Sequence, residues 1–435
     1  MALVNEKLLP SIRNEFPRAE TDGSGRKRVF FDAGAGSLVL RKAAEAEADA
    51  MVNYSANVGA PSWESQKVEE TIREGRASVR DLLNAPSEDT IVIGESATSL
   101  FFRLTYAIGK ELKKDENVVT TEYEHYANVS SMLELERRGV VRQARLAKFD
   151  PKTGMLDMDH LASLIDSKTR VVSVGGIANG LGSKTNLEKV RKLARDVGAY
   201  FVIDAVHLVP HVPVDVQQLD CDFLIFSAYK VFSRRGSFMY GKRDALQKLQ
   251  PYKVDPNPDK IPGKWEWGTV DQGQFAAFTA VVEYLSWLGT QTLSMLSSQQ
   301  QQQLGKLSGR QRNLRAAMLW VEDYEKSLSR AMFDGVNGSP GILDIPHVTL
   351  YGPKSAENRS PTFIFSIDGA DYRDTAKFLW DKHSVATLPD DFYSRALQTY
   401  GIEKAVRASL VHYNTVQEIG IFLNGLADAA KTLAK

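Results

Sequence analysis

Two short apolar runs near the middle of the chain limit its fold more than any other feature. Tyr200-Phe201-Val202-Ile203 ends at Asp204, and Phe223-Leu224-Ile225-Phe226 leads through Ser227-Ala228-Tyr229 to Lys230. β-Branched and aromatic runs of this length are the pattern of strands buried in a parallel sheet. Similar runs stand at Val29-Phe30-Phe31-Asp32, at Thr90-Ile91-Val92-Ile93, from Asn117 to Thr121 and from Arg170 to Val174. Helical segments separate them from about residue 29 to 230, and this alternation predicts an α/β sheet with helices on both faces. Such sheets bind ligands at the ends of their strands, which is where Asp204 and Lys230 fall.

Composition narrows the classes. A chain of 435 residues is too long for one ordinary core and implies two domains or a large one with an appendage. Lys+Arg and Asp+Glu balance at 54 each, so no overall field favours nucleic acid or an anionic membrane. No apolar run is long enough to span a bilayer, and the charged segment from Met1 to Phe16 lacks a signal-peptide core, so a cytoplasmic protein is expected. The single cysteine, Cys221, excludes an intrachain disulfide and a cysteine-based metal site. The expected organisation is an arm over 1–27, a large domain over 28–289, a polar helical connection over 290–334 and a small α+β domain over 335–435. Gly335, Gly338, Pro340 and Gly341 mark the last boundary.

Several strand ends carry chemistry. Ala33-Gly34-Ala35-Gly36-Ser37 is a tight, backbone-exposing loop without the third glycine of a dinucleotide fingerprint. At Gly94-Glu95-Ser96-Ala97-Thr98 a strand empties into a hydroxyl-rich helix start, a favourable place for an anion. Glu124-His125-Tyr126-Ala127-Asn128 sets a histidine among aromatics, suited to stacking on a flat ring. Gly182-Ser183-Lys184-Thr185 is not a P-loop, because Ser183 separates the glycine from the lysine. An acid and a lysine on one sheet edge can hold pyridoxal phosphate. The lysine forms a Schiff base with its aldehyde, and the acid keeps the pyridine nitrogen protonated. Taken singly, each feature also has an ordinary reading as a strand-end charge, a helix cap or a half-buried histidine.

In this order and spacing the motifs resemble the fold-type I pyridoxal phosphate enzymes, specifically the class V aminotransferase and cysteine-desulfurase-like family. Phe31-Asp32-Ala33-Gly34, Ser96-Ala97-Thr98-Ser99, Glu124-His125-Tyr126, Ala178-Asn179-Gly180, Asp204-Ala205-Val206-His207, Ser227-Ala228-Tyr229-Lys230, Trp267-Gly268-Thr269 and Val406-Arg407-Ala408-Ser409 carry the resemblance, which covers nearly the whole chain. It implies an aspartate-aminotransferase-like α/β fold, a large domain with a mainly parallel seven-stranded sheet beside a small α+β domain. It also implies pyridoxal phosphate, an amino-acid substrate and a homodimer with sites at the interface. Lys230 matches the Schiff-base lysine, Asp204 the partner of the pyridine nitrogen and His125 the ring-stacking histidine. Ala97 and Thr98 match the phosphate cup, with Ser227 and Tyr229 close by. His207 and Asn179 fall near the cofactor's phenolic oxygen. Thr269 matches a phosphate contact given to the partner subunit, and Arg407 the clamp on the substrate α-carboxylate, a task suited to a bidentate fork. Gly34, Asn57 and Arg234 complete the expected substrate contacts.

Two departures shape the expected activity. Cysteine desulfurases carry a nucleophilic cysteine on a C-terminal loop, whereas here the stretch from His383 to Asp391 has none. Cys221 precedes a buried strand and reads as a small hydrophobe, so a persulfide-forming desulfurase is disfavoured. Second, Ser233-Arg234-Arg235-Gly236 replaces the usual Gly-Pro turn after the lysine. Its arginines face solvent, pair with acids across the dimer, or read a second acidic group on the substrate. The expected enzyme works through an external aldimine and a stabilised carbanion, by elimination or C–C bond formation. An aminotransferase or epimerase is the alternative. A non-catalytic pyridoxal phosphate binder fits less well with the complete lysine, acid and arginine set.

Overall fold

The structure, a computed structural model, describes residues 8–435. The first seven residues of the expected arm lie outside it. Seven strands form the main sheet: β1 (Ile91–Gly94), β2 (Asn117–Thr121), β3 (Gln143–Ala147), β4 (Thr169–Gly175), β5 (Tyr200–Asp204), β6 (Phe223–Ser227) and β7 (Ser237–Gly241). Their order is β1-β7-β6-β5-β4-β2-β3, and only β7 runs antiparallel. Phe201, Val202, Ile203, Leu224, Ile225 and Phe226 are fully buried, as strands covered on both faces must be. This mainly parallel sheet is the α/β architecture expected from the alternating runs.

A four-stranded antiparallel sheet stands beside it: β8 (Val348–Tyr351), β9 (Thr362–Ile367), β10 (Leu388–Asp390) and β11 (Ala405–Ser409), in the order β8-β9-β11-β10. Val29–Phe30 does not join the large sheet. It pairs in parallel with Val385–Ala386, and the chain continues through a bridge between Asp32 and Ser409. The loop after Asp32 is therefore anchored to the small sheet while reaching the edge of the large one.

The helices hold these layers together. α1 (Ala97–Gly109) and α2 (Tyr126–Arg137) follow β1 and β2, while α3 (Gln272–Thr292) and α4 (Gly309–Asp334) pack on each other. The polar stretch after residue 290 is not one solvated helix. The glutamine run ends a short exposed helix, Ser298–Gln303, and α4 then buries Leu314, Ala317, Val321, Tyr324 and Leu328. Every residue from Ala316 to Val321 is buried as well, so the middle of this helix is covered on all sides, which the polar composition of the stretch hides. Among the described residues, no helix is long and apolar enough to cross a membrane.

Candidate active site

The C-terminal ends of β5 and β6 open into a cavity of about 690 Å³. Asp204 is the last residue of β5. Lys230 lies one 3₁₀ turn, Ala228–Lys230, beyond β6, and both side chains are buried. Gly34, Ala97, Thr98, His125, Asn179, His207, Ser227, Tyr229 and Arg407 line the same space. Eleven of the residues singled out in the sequence thus meet in one cavity, from segments spread over most of the chain.

Burial sets the charges. Burial, helped by the Arg407 guanidinium, pulls the Lys230 ammonium down to about 7, although Asp32 and Asp204 oppose the shift. A sizeable fraction of the amine is then neutral at neutral pH. Its Nζ donates to the Gly34 carbonyl. Burial pushes Asp204 up to about 6, against the Val206 N–H that Oδ1 accepts at 3.0 Å and the Lys230 charge. His125 caps α2, and its Nδ1 accepts the Ala127 N–H at 3.0 Å. The ring proton therefore sits on Nε2, and burial with the Lys230 and Arg407 charges pushes the imidazole down to about 4. His207 is held well below its usual range, first by burial.

Two buried polar atoms show what the cavity is shaped to receive. Arg407 donates from Nη1 to the Asn179 carbonyl at 3.2 Å and lies 4.6 Å from the Phe392 ring centre. Its Nε has no partner among the described residues. Asn179 Nδ2 donates to the Phe392 carbonyl at 2.8 Å, and its Oδ1 likewise lacks a partner. Such atoms cost about 1–3 kcal/mol each unless a ligand satisfies them. A carboxylate suits Arg407 Nε, and an amine or hydroxyl donor suits Asn179 Oδ1. At the start of α1, Ser96 accepts the Ser99 N–H at 3.0 Å, and the first backbone N–H groups of a helix have no partner within it. Those of Ala97 and Thr98 face a site for an anion such as phosphate. A buried amine, a buried acid, a neutral histidine and an anion cradle together fit pyridoxal phosphate.

Sequence reasoning gave no role to several groups here. Glu124 is fully buried; its Oε1 accepts from the Gly175 N–H at 2.7 Å and the Thr121 hydroxyl at 2.8 Å. Burial and the Asp204 charge push it up to about 7, despite those hydrogen bonds. A Cβ on Gly175 would come within 2.5 Å of Glu124 Oε2, so any side chain there would push the carboxyl group from its place. Burial also raises Asp32 to about 6, against the nearby Arg407 and Lys230 charges. Phe392 and Tyr393 take φ of 58° and 50°, successive left-handed residues that bulky side chains seldom adopt. Asp391 Oδ1 accepts the Tyr393 N–H at 2.8 Å, and the Tyr393 carbonyl accepts the Tyr126 N–H at 2.9 Å. Tyr393 stacks on His125 at 5.9 Å. The Glu124, Thr121 and Asn128 spacing was a usable signal; the aromatic pair had none.

Three expected residues lie elsewhere. Asn57 is exposed between the helices Arg41–Asn53 and Trp63–Leu83 and does not line the cavity. Arg234 does not reach it either, because Glu47 at 3.0 Å and Asp271 hold its guanidinium within the chain. Arg235 is exposed, 5.8 Å from the Tyr229 ring centre. Thr269 lines a separate cavity of about 230 Å³ together with Arg234 and Arg235. Cys221 is fully buried just before β6, at the opposite end of that strand from Lys230, and burial pushes its thiol far up.

Glu124 offers a pH test. A carboxyl raised by burial contributes most below its unfolded value of about 4.5, and that contribution is lost as pH rises through about 7. Glu124→Gln removes the ionisation. The variant is expected to gain about 1–3 kcal/mol relative to the parent between pH 5 and pH 8. Urea denaturation at both pH values measures this, and a difference that does not change with pH contradicts the buried ionisation.

With the site in place, the comparisons define its class. The family model described as aminotransferase class-V matches residues 29–312 and 314–422, so the chain belongs to that family, whose members use pyridoxal phosphate. A probable cysteine desulfurase of Synechocystis sp. is 27% identical over 98% of this chain and 96% of its own length. A cysteine desulfurase of Pectobacterium carotovorum is also 27% identical, over 95% of this chain and 96% of its length. The apo structure of the cysteine desulfurase from Thermococcus onnurineus NA1 superposes with a TM-score of 0.83 at 23% identity, covering 98% of both chains. The latter likeness supports the fold, and the chain is a pyridoxal phosphate-dependent enzyme of this family.

Proposed function

We propose that this enzyme acts on an amino acid at Cα or beyond, by elimination or C–C bond formation, and not by forming a persulfide. One observation carries the proposal: the only thiol of the chain is buried at the far end of β6, while Lys230, Asp204 and Arg407 converge on one cavity. A persulfide needs an accessible thiolate, and Cys221 offers neither access nor ionisation.

The chemistry supplied by bound pyridoxal phosphate is an electron sink for the pair released at the amino acid's Cα. The residues around it divide the remaining work. Arg407 holds the α-carboxylate through Nε and the rest of its fork. Lys230 Nζ, partly neutral near pH 7, takes and returns protons. Asp204, ionised above about pH 6, holds a positively charged N–H donor. His125, neutral and fixed as the Nε2–H tautomer, offers a flat face without a competing charge. The assembly is a homodimer in which Thr269 serves the neighbouring site. Its place outside this chain's own cavity supports that reading, as do the exposed side chains of Met51, Val52, Trp63 and Trp267.

Cys221→Ser tests the chemistry. Turnover is expected to stay within about twofold, while the hydroxyl placed in an apolar strand lowers stability by about 1–3 kcal/mol. Abolished turnover in a folded, cofactor-loaded variant would restore the persulfide route. An aminotransferase, the second reading, would release one equivalent of 2-oxo acid per site without an acceptor and then stop.

A further inference from the structure

The walls of the active-site cavity change character with distance from Lys230. At the inner end stand Lys230, Asp204, Asn179 and Arg407. Phe102, Tyr126, Leu388, Phe392 and Tyr393 complete the wall; Phe392 packs on Arg407, while the exposed Phe102 and Tyr393 mark its solvent side. Phe102 and Tyr393 keep 40% and 64% of their surface exposed, although both are large and face a concave site. Phe392 and Tyr393 also hold successive left-handed conformations, so the chain accepts backbone strain to place two rings here.

The charges point the same way. Among the described residues, Lys230 and Arg407 are the only lysine and arginine lining the cavity, and both have tasks at its inner end. Asp390 lines it too; burial pulls Arg407 down to about 10, and the charges of Asp32 and Asp390 oppose that shift. Lys404 lies 3.9 Å from Asp390 but does not line the cavity. Arg234 is committed to Glu47 and Asp271, and Arg235 lines the other cavity. A second acidic group on a substrate would meet Asp390 and, among the described residues, find no further lysine or arginine lining the cavity.

We propose that the outer half of the cavity binds a neutral, flat, apolar group, with Phe102 and Tyr393 determining that specificity. The proposal rests on the reading of the inner end as an amino-acid site. The group has two chemical sources: the side chain of the amino acid itself, or a separate carbonyl-bearing substrate that accepts the carbanion in C–C bond formation. Both bring a ring or alkyl face to the same wall.

Calorimetric titration of the cofactor-loaded protein with unreactive probes tests it. Propionate, succinate and 3-phenylpropionate each offer a carboxylate to Arg407 but differ beyond it. Benzyl alcohol, added to protein saturated with propionate, supplies the ring as a separate molecule. If the ring belongs to the side chain, 3-phenylpropionate binds about tenfold or more tighter than propionate. If it belongs to a second substrate, 3-phenylpropionate gains nothing, but benzyl alcohol still binds beside propionate. In either case succinate is no tighter than propionate. Tyr393→Asn suits the left-handed backbone, and Phe102→Ala suits the helix it occupies, so both variants keep the fold. Each is expected to weaken the binding of the ring-bearing probe about three- to tenfold and to leave propionate unchanged. Succinate binding tenfold tighter than propionate overturns the proposal, as do unaltered affinities in both variants. The same titrations on protein without cofactor separate the two readings. Failure to take up pyridoxal phosphate would sink the reading of the inner end and leave the phenyl-to-succinate comparison to decide this one.

Discussion

Lys230→Ala is expected to lower turnover by at least about 10³-fold, a barrier increase of about 4 kcal/mol. The side chain is buried, its amine is partly neutral near pH 7, and it stands between Asp204 and Arg407 at the inner end of the cavity. Among the described residues no other lysine lines that space, so none of them offers a second amine to replace it. The parent protein, loaded with pyridoxal phosphate and reduced with borohydride, should carry a covalent adduct on the peptide containing Lys230, and the variant should carry none. Peptide mapping by mass spectrometry decides the matter. An adduct on a different lysine, or a variant within tenfold of the parent, removes Lys230 from its role. The alanine should not unfold the chain, since the amine satisfies one carbonyl, that of Gly34, which lies beside a cavity open to water.

Asp204→Asn is expected to bind the cofactor yet lose about tenfold to over a hundredfold in kcat, the value of one charge-assisted hydrogen bond of about 1.5–3 kcal/mol. The amide keeps the shape and can still accept the Val206 N–H that fixes the acid at 3.0 Å. It cannot supply a negative charge. The expected signature is a fall in kcat with cofactor occupancy unchanged, followed by absorbance and by single-turnover kinetics. Near-normal kcat would show that the charge at Asp204 does not stabilise the transition state.

Much of this site was legible because its parts sit at strand ends. The buried runs closing at Asp204 and Ser227 could hardly be anything but inner strands of a parallel sheet, and the residues after them had to face the ligand edge. Arg407 was legible only through its flanking pattern, since nothing in its strand says that Asn179 lies across from it. Glu124 and Asp32 escaped for a different reason: a carboxyl's ionisation depends on burial, which tertiary packing decides. Arg234 misled for the same cause, because its partners Glu47 and Asp271 lie far away in the sequence. Phe392 and Tyr393 carry no glycine or asparagine to announce a left-handed turn. Val29–Phe30 read as another strand of the large sheet, and its pairing with Val385–Ala386 could not be foreseen from two apolar residues.

That last pairing bears on the order in which the molecule is built. The seven strands of the large sheet all lie between Ile91 and Gly241, so Asp204 and Lys230 can be set in place while the ribosome is still supplying the rest. The segment carrying Gly34 must wait for Val385 and Ser409, more than 350 residues further on, a long and costly loop to close. A nascent or partly opened molecule would therefore own the lysine and the acid without the arginine clamp. A cofactor that favours the finished arrangement adds its binding free energy to this late closure, and so draws the two ends of the chain together.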